Sequence, residues 1–213
     1  MELTWEEQLE QQRQARRSEI IETARTLFLK MDLNGVSMKD IAANSGISRV
    51  TLYKYFKSID EVAFEVQMQV LGSLFDYVAS VDDSTLDGLV RMRNHLDAWI
   101  DFYQKHTNYF CFVGLFDHYY RERYPSEDLQ NRYRNFFKKG RNIRRDMIES
   151  GIQQGLIRPE VDAKDAAVTF TNIFLGLCVR LASREDILKA EQSVDPAGQL
   201  KLTRDILMQY LKK

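Results

Sequence analysis

A short segment near the start of the chain, residues 37 to 57, is the feature that most restricts the possible folds. Ser37 precedes Asp40 by three positions, which is the pattern of a helix N-cap with an acidic partner. The run Asn44-Ser45-Gly46 would end that helix, and Ser48 can cap the next one. The spacing therefore predicts two short helices joined by a tight turn that contains a glycine, which is the helix-turn-helix arrangement.

The second of these helices has a buried side and a polar side. Leu52 and Phe56 are four positions apart and can pack inward, and the segment carries four basic side chains against one acidic one on a chain of net charge -1. The second helix of a helix-turn-helix must enter a DNA major groove about 12 Å wide, so short polar and basic side chains on its outer face predict DNA binding. The candidate DNA-binding residues are Ser37, Lys39, Ser48, Arg49, Val50, Thr51, Tyr53, Lys54, Tyr55 and Lys57.

The candidate residues divide by the part of the duplex that they can reach. Arg49 and Lys54 can donate to guanine acceptors, and Val50 and Thr51 can contact a thymine methyl group. We expect the hydroxyls of the two tyrosines and the Lys57 ammonium to contact phosphates, which fixes register without reading sequence. The alternative is a pair of short helices with a solvated basic face that binds no DNA.

Composition predicts an all-α fold. Only 3 Pro and 10 Gly occur in 213 residues, and helix-forming residues are abundant. Apolar side chains at helical spacing from Ile20 to Met31 predict the first helix, and Gly35 follows its end. Beyond the helix-turn-helix, the patterns predict helices over about 59–80, 85–105, 127–153 and 163–183, and a last one that ends at 211.

The chain divides into three predicted regions. These are an N-terminal extension of residues 1–17, a helix-turn-helix DNA-binding domain of residues 18–60 and an effector-binding and dimerisation domain of residues 61–213. The extension ends in Arg13, Arg16 and Arg17, and two interpretations of it stay open. It is either an arm close to the minor groove or a lengthening of the first helix.

Several patterns bear on the compartment and on catalysis. Cys111 and Cys178 stand in apolar segments without a CxxC motif, which indicates reduced thiols, and the acidic N-terminus and the lack of about 18 uninterrupted apolar residues indicate a cytoplasmic protein that is not membrane-embedded. His95, His106 and His118 do not form an HExxH motif, and no nucleotide-binding or hydrolase motif occurs. We therefore expect no enzyme activity, no metal site and no cofactor.

The helix-turn-helix segment closely resembles the tetracycline-repressor (TetR) family of bacterial transcription regulators. The resemblance covers residues 20 to 66 and implies a DNA-binding head of three helices, a fourth helix that leads into a larger helical body, and a two-fold dimer. In the family, the position of Ser37 caps the second helix beside a phosphate, and the positions of Tyr53, Tyr55 and Lys57 contact phosphates. From residue 85 onward the match is only in outline, so ligand identity does not carry over. The matching motifs are Ile41-Ala42, Gly46-Ile47-Ser48, Thr51-Leu52-Tyr53, Tyr55-Phe56-Lys57 and Glu61.

The body is predicted to bind an effector. A ligand site needs an apolar cavity with a few polar groups that orient the ligand, and the middle of the body is rich in aromatic residues. The basic run from Lys138 to Arg145 could serve an anionic ligand or a second DNA contact. A solvated helix face is the favoured interpretation, because acidic residues on the same helix can pair with it. The candidate ligand-binding residues are Trp99, Tyr103, Phe116, Tyr120, Phe137, Arg141 and Phe174.

The last two predicted helices are candidates for a dimer interface. Both are more apolar than a surface helix requires, and packing them against their two-fold mates would form a four-helix interface, as the resemblance also implies. The alternative is burial within one protomer. The candidate interface residues are Phe170, Ile173, Leu177, Leu181, Leu207 and Tyr210.

The sequence as a whole predicts a homodimeric transcription regulator, a repressor that a small-molecule effector releases from its DNA operator. Two alternatives stay open. A helical module that binds protein rather than DNA would show no salt-dependent retention on DNA, and a helical enzyme would show turnover.

Overall fold

The computed structural model describes residues 4–139, 142–193 and 195–213, and these residues confirm the predicted all-α fold. Among them there is no β-strand, only an isolated bridge between Ile157 and Lys212. A single 3-10 turn, Leu33–Gly35, follows the first helix. The helices of the described residues are α1 Trp5–Met31, α2 Met38–Asn44, α3 Arg49–Tyr53, α4 Ile59–Ser80, α5 Gly88–Lys105, α6 Thr107–Tyr119, α7 Glu127–Lys139, α8 Asn142–Gln153, α9 Ala163–Ser183, α10 Glu185–Gln192 and α11 Pro196–Leu211.

The described chain forms two compact units. The first contains the residues up to Gln69 together with Leu115–Tyr133, and the second contains Val70–Gly114 and Arg134–Lys213. Helices α4, α6 and α7 each contribute residues to both units. The first unit is therefore larger than the predicted domain of residues 18–60, because it includes the start of α4 and a segment that is distant in sequence.

The core of the first unit forms where α1, α2 and α3 pack together. The stripe predicted on α1 is buried from Ile20 to Phe28, but Met31 at its end is 43% exposed. The buried part lies with the buried residues Ile41 of α2 and Leu52 of α3 in the core of this unit. Helix α1 is a single helix of 27 residues. Of the two interpretations of the extension, its described part thus lengthens the first helix.

The second unit is built around α5, which packs against α8 and α11, while α9 packs against α8, α10 and α11. Helix α5 begins at Gly88, three residues after the predicted start, because the Asp87 side chain caps it by accepting a hydrogen bond from the Val90 N–H at 2.9 Å. Helices α7 and α8 occupy the predicted span 127–153 on either side of residues 140 and 141, which are outside the described residues. Helix α10 was not predicted. Leu188 is its one fully buried side chain, and a single buried residue forms no periodic pattern in the sequence.

Half of the predicted dimer-interface residues belong to the protomer core. Phe170, Leu181 and Leu207 are buried within the protomer and contribute to its core, and their place in an interface stays a prediction. Both helices are apolar on two sides, and the hydrophobic pattern did not distinguish the inner side from the outer one. Ile173 and Tyr210 are exposed and Leu177 is half-buried.

Helix α9 meets the length and composition criterion for a membrane span among the described residues. Its 18-residue window has a mean hydropathy of 1.5, and 39% of the window is buried in the protomer. A helix at the centre of a helical body passes the same criterion, because it packs on several sides. Helix α9 contacts three neighbouring helices, so its apolar composition is that of a helix packed within the body.

Candidate DNA-binding surface and effector cavity

The first helix of the helix-turn-helix is fixed at its start by a reciprocal cap. The Asp40 N–H donates to the Ser37 hydroxyl at 3.3 Å, and the Ser37 N–H donates to the Asp40 carboxylate at 2.9 Å. Hydrogen bonds from the Ser37 side chain and backbone hold the pKa of Asp40 below its usual value, because they stabilise the carboxylate. Sequence spacing alone located this cap.

The turn between α2 and α3 depends on Gly46. Its φ is +65°, in the left-handed region that side chains with a Cβ rarely adopt. The next residue, Ile47, donates its N–H to the Ala42 carbonyl at 3.0 Å, which closes the end of α2. The glycine therefore sets the direction in which α3 leaves the turn.

Helix α3 is held by its own cap and by two buried side chains. The Ser48 hydroxyl accepts a hydrogen bond from the Thr51 N–H at 3.0 Å and lies 2.9 Å from the Thr51 hydroxyl. Leu52 and Phe56 are fully buried. Because these two side chains face the protein, the opposite face of α3 is turned outward.

All ten candidate DNA-binding residues lie at the surface of the first unit. Thr51 and Tyr55 are half-buried, and the other eight are exposed. Val50 is 72% exposed, although it is apolar. An exposed valine between basic and hydroxyl side chains is suited to contact with a thymine methyl group.

A groove of about 870 Å³ beside α3 was not predicted. Its walls come from one face of the extended α1 and from α3 with the residues that follow it. The α1 residues of this groove recur every three or four positions. Extending the helical spacing of α1 toward the N-terminus could therefore have identified this wall from the sequence. The groove is lined by Leu9, Gln12, Arg13, Ala15, Arg16, Glu19, Thr51, Lys54 and Tyr55.

The three arginines of the extension have different surroundings. Arg17 pairs with Glu65 at 2.6 Å, and its guanidinium lies 5.0 Å from the centre of the Phe56 ring. Arg16 forms an exposed ion pair with Glu19 at 2.8 Å. Arg13 is exposed and forms no ion pair with any residue that the structure describes. The Arg17 side chain therefore packs within the first unit, whereas the exposed side chains of Arg13 and Arg16 place positive charge beside α3.

An ion-pair network joins α1, α4 and α7 within the first unit. Arg132 donates to Glu61 at 3.0 Å and also to Glu65, which pairs with Arg17. Burial raises the pKa of Glu61, but the hydrogen bond from the Lys57 N–H and the charge of Arg132 outweigh it, so that the pKa lies below its usual value. Glu61 matches a position of the family motif, but no sequence pattern identified Arg132 of α7 as its partner.

Phe116 and Tyr120, two candidate ligand-binding residues, lie in an aromatic cluster of the first unit. The ring centres of Phe116 and Tyr120 are 4.8 and 4.9 Å from that of Phe64, in edge-to-face arrangements. The Tyr120 hydroxyl donates to Asp60 at 2.7 Å. Tyr133 completes the cluster, its ring centre 5.5 Å from that of Phe64.

The other candidate ligand-binding residues belong to the second unit. Trp99 and Phe174 are buried, with ring centres 6.0 Å apart, and Phe137 lies 6.1 Å from Phe75. Tyr103 is buried, and its hydroxyl has no hydrogen-bond partner among the described residues. Arg141 lies outside the described residues. The predicted set is thus divided between the two units, and its role in ligand binding stays a prediction.

A cavity of about 310 Å³ in the second unit is lined by other residues. Two residues of the predicted set contact its wall. The Trp99 indole N–H donates at 3.2 Å to His95, and the Phe137 ring centre lies 5.4 Å from that of Phe136. His95 was predicted to have no catalytic or metal-binding role, and Arg144 belonged to a basic run for which a solvated face was favoured over an anionic-ligand site. The lining residues are Gly72, Phe75, Asp76, Val78, Ala79, His95, Phe136, Ile143 and Arg144.

These features define a class of protein: an all-α regulator with a helix-turn-helix whose outer face carries basic and hydroxyl side chains, followed by a helical body with a cavity. The family described as "Bacterial regulatory proteins, tetR family" matches residues 20–66. The helix-turn-helix of this chain is thus similar to that of the family, and the chain is a DNA-binding transcription regulator, as predicted from the sequence.

Curated relatives are repressors of the same family. The chain is 27% identical over 148 residues to the HTH-type transcriptional repressor KstR2 of Mycobacterium tuberculosis (strain H37Rv), which covers 70% of this chain and 72% of that protein. It is 26% identical over 188 residues to KstR2 of Mycolicibacterium smegmatis, which covers 84% of each.

Solved structures share the fold at lower identity. The structure of the ketosteroid transcriptional regulator KstR2 of Mycobacterium tuberculosis matches with a TM-score of 0.66 at 22% identity, over 93% of this chain and 95% of that one. The structure of the transcriptional regulator FadR of Bacillus subtilis in complex with stearoyl-CoA matches with a TM-score of 0.69 at 15% identity, over 91% and 98%.

Proposed function

We propose that this regulator is a cytoplasmic repressor that binds operator DNA as a homodimer through α2 and α3 and releases it when a small-molecule effector binds the helical body. The observation that carries the DNA-binding role is the outer face of α3. Arg49 and Lys54 are exposed there, while Leu52 on the opposite face is fully buried. A short helix with one exposed basic face and one buried apolar face can lie in a major groove while its apolar side chains stay packed in the protein.

The contacts are assigned by chemistry and position. Arg49 and Lys54 donate to guanine acceptors, and the exposed Val50 contacts a thymine methyl group. Tyr53 and Lys57, at and beyond the end of α3, contact phosphates and fix the register of the helix in the groove. Ser37, Lys39, Ser48, Thr51 and Tyr55 complete the proposed DNA surface.

The proposed dimer uses the outer faces of α9 and α11. Leu202 and Ile206 are 62% and 59% exposed, and Tyr210 lies one turn further along α11 on the same face. Ile173 and Val168 are exposed on α9. Two copies of this apolar surface would bury each other around a two-fold axis. The same axis relates the two copies of α3, which would bind two half-sites about one helical turn apart.

The proposed effector response is a population shift. FadR of Bacillus subtilis was solved with stearoyl-CoA, and KstR2 is a ketosteroid transcriptional regulator, which supports a small molecule as the signal. An effector that prefers the conformation with misaligned recognition helices weakens operator binding by its difference in affinity. Helix α4 is continuous from Ile59 to Ser80, so a displacement of its second half is transmitted along one rigid element.

The test compares Arg49→Ala and Lys57→Ala on a duplex selected from a random library and on a scrambled duplex, at two salt concentrations. We expect Arg49→Ala to cost about 1 to 3 kcal/mol on the selected duplex only, because it removes a base contact. Lys57→Ala should weaken binding to both duplexes alike and reduce the salt slope by about one.

Lys201→Ala is the matched control, since Lys201 is an exposed lysine on α11 in the second unit. Equal losses for the Arg49 and Lys57 variants on both duplexes would refute the assignment of roles. If the unaltered protein shows no salt-dependent retention on DNA, the chain is instead a protein-interaction module.

A further inference from the structure

The cavity of the second unit has the size and walls of a small-molecule site. Its volume of about 310 Å³ falls at the lower end of the range for ligand pockets, about 300 to 1,000 Å³. Helix α4 supplies most of one wall, and Phe75 of α4 stacks on Phe136 of α7 with ring centres 5.6 Å apart. The ionisable side chains in the wall are Asp76 of α4, His95 of α5 and Arg144 of α8.

His95 of α5 lies in the wall of this cavity and has an unused hydrogen-bond donor. The residue is 1% exposed, and its Nε2 accepts a hydrogen bond from the Trp99 indole N–H at 3.2 Å. Burial, and then the charge of Arg144, lower the pKa of His95 to about 3, so the ring is neutral at physiological pH. A neutral imidazole that accepts at Nε2 carries its proton at Nδ1, and this buried Nδ1 has no partner among the described residues.

Arg144 of α8 adds a second unused donor and a positive charge. Its Nε is buried without a hydrogen-bond partner, and within the described part of the chain the guanidinium forms no ion pair. Burial lowers the pKa of Arg144, but an arginine stays charged in proteins. The neighbouring Arg145 is exposed and pairs with Glu149 at 2.6 Å, so the predicted solvated basic face does not include Arg144.

The acidic side chains near the cavity do not neutralise Arg144. Asp82 accepts two hydrogen bonds from Arg91, both at 2.8 Å, and is therefore committed elsewhere. Asp76 lines the cavity but is exposed, so water solvates its charge. The residues that line the cavity thus carry two donors without partners and one positive charge, with no matching acceptor on a buried side chain of the lining.

We propose that this cavity binds a small apolar molecule with one anionic head group, whose oxygen atoms accept hydrogen bonds from Arg144 and from Nδ1 of His95. The aromatic and aliphatic wall from α4, α7 and α8 contacts the apolar part of the ligand. A charged acceptor is favoured over a neutral one because hydrogen bonds between two ionised groups are shorter and stronger. The inference rests on the proposed function in one respect, which is that such a ligand acts as the effector.

Gly72 is consistent with space kept open for a ligand. It lies in the interior of α4, and a Cβ at this position would meet only the edge of Phe136, at 3.7 Å, which is an ordinary contact. Close packing therefore does not require a glycine here, although glycine is unfavourable inside a helix. A side chain at this position would occupy part of the cavity.

The test uses the fluorescence of Trp99, which contacts His95. The chain has two tryptophans, and Trp5 is 77% exposed at the free end of α1, so Trp5→Phe leaves Trp99 as the single reporter. In this background the protein is titrated with decanoate, 1-decanol and decylamine, three probes with the same chain and different head groups. We expect decanoate to bind at least about 10-fold more tightly than the other two.

Variants then assign the selectivity to one side chain. Arg144→Met should reduce decanoate affinity by about 10-fold or more and leave 1-decanol unchanged, while Arg144→Lys retains part of the decanoate affinity because it keeps the charge. Arg145→Met is the matched control and should bind decanoate as the parent does. Thermal unfolding of each variant verifies that it is folded.

The outcomes separate this inference from the proposed function. The inference is overturned if Trp99 does not respond to decanoate, if decanoate and 1-decanol bind equally, if decylamine binds best, or if Arg144→Met loses no affinity. Salt-dependent DNA binding by the same preparation would show that the DNA-binding role stands in each of these cases. Decanoate binding without DNA binding would overturn only the proposed function.

Discussion

At the scale of single residues, Gly88 is the position that tolerates a side chain least. A Cβ there would lie 2.2 Å from the Met147 carbonyl oxygen and 2.3 Å from the Gly151 nitrogen. The Gly88 N–H also donates to Gln154 at 2.9 Å. Helices α5 and α8 therefore touch backbone to backbone, and neither neighbour is a flexible side chain that can move aside.

We predict that Gly88→Ala lowers the free energy of unfolding by about 3 kcal/mol, because the two helices must separate to admit the methyl group. Gly72→Ala is the matched control, and it should raise stability by up to about 1 kcal/mol, since its Cβ meets only an ordinary contact and alanine favours the helix. Urea unfolding followed by circular dichroism measures both. Equal stability of the two variants would contradict the close approach.

Residues that act through local spacing could be predicted, while residues that act through packing could not. Ser37, Gly46 and Ser48 were identified from sequence because each acts on atoms within a few positions along the chain. The roles of His95 and Arg144 depend on four helices that meet around one cavity, and no local pattern in the sequence contains that information.

At the scale of elements, α1 has about four turns before its first buried residue, Ile20. The stripe that begins at Ile20 predicted the buried half, but the first residues have no apolar periodicity that distinguishes a helix from an arm. Polar contacts hold this part instead. Thr4 and Glu7 form a reciprocal cap, and Gln14 donates to Glu10 at 2.6 Å. The helix thus places Arg13 and Arg16 in the groove beside α3.

We predict that replacing Arg13 and Arg16 together by Gln reduces the salt slope of DNA binding by up to about two, one for each phosphate contact removed. Both side chains are exposed, so the thermal midpoint should not change. Fluorescence anisotropy with a labelled duplex at several salt concentrations gives the slope, and Lys201→Gln serves as the charge-matched control. An unchanged slope in the double variant would exclude these arginines from the DNA interface.

At the scale of the whole molecule, α9 and α11 each have two apolar faces. Phe170 and Leu207 face the protomer core, while Ile173, Ile206 and Tyr210 face outward. The sequence identified both helices as more apolar than a surface requires. The sequence could not show which face of each helix is buried, because this depends on where the other helices of the body pack.

We predict that the protein is a dimer in solution, with twice the 25.0 kDa mass of the chain, and that Ile206→Asp converts it to a monomer. A charged group in the centre of an apolar interface has no partner and stays solvated only in the separated protomer. Ile187→Asp, at an exposed isoleucine of α10, should remain a dimer. Light scattering after size exclusion measures the mass, and a monomeric parent protein would contradict the proposed interface.

The aromatic cluster around Phe64 has a consequence for engineering this regulator. Phe64 is fully buried, and its neighbours Phe116, Tyr120 and Tyr133 come from Leu115–Tyr133, far from the family motif in sequence. Arg132, from the same segment, supplies the counter-charge for Glu61 and Glu65. A chimera that transfers the DNA specificity of this chain to another sensor must therefore carry both pieces. The N-terminal fragment alone would expose the Phe64 ring and leave Glu61 without its arginine partner, while Glu65 would keep only Arg17.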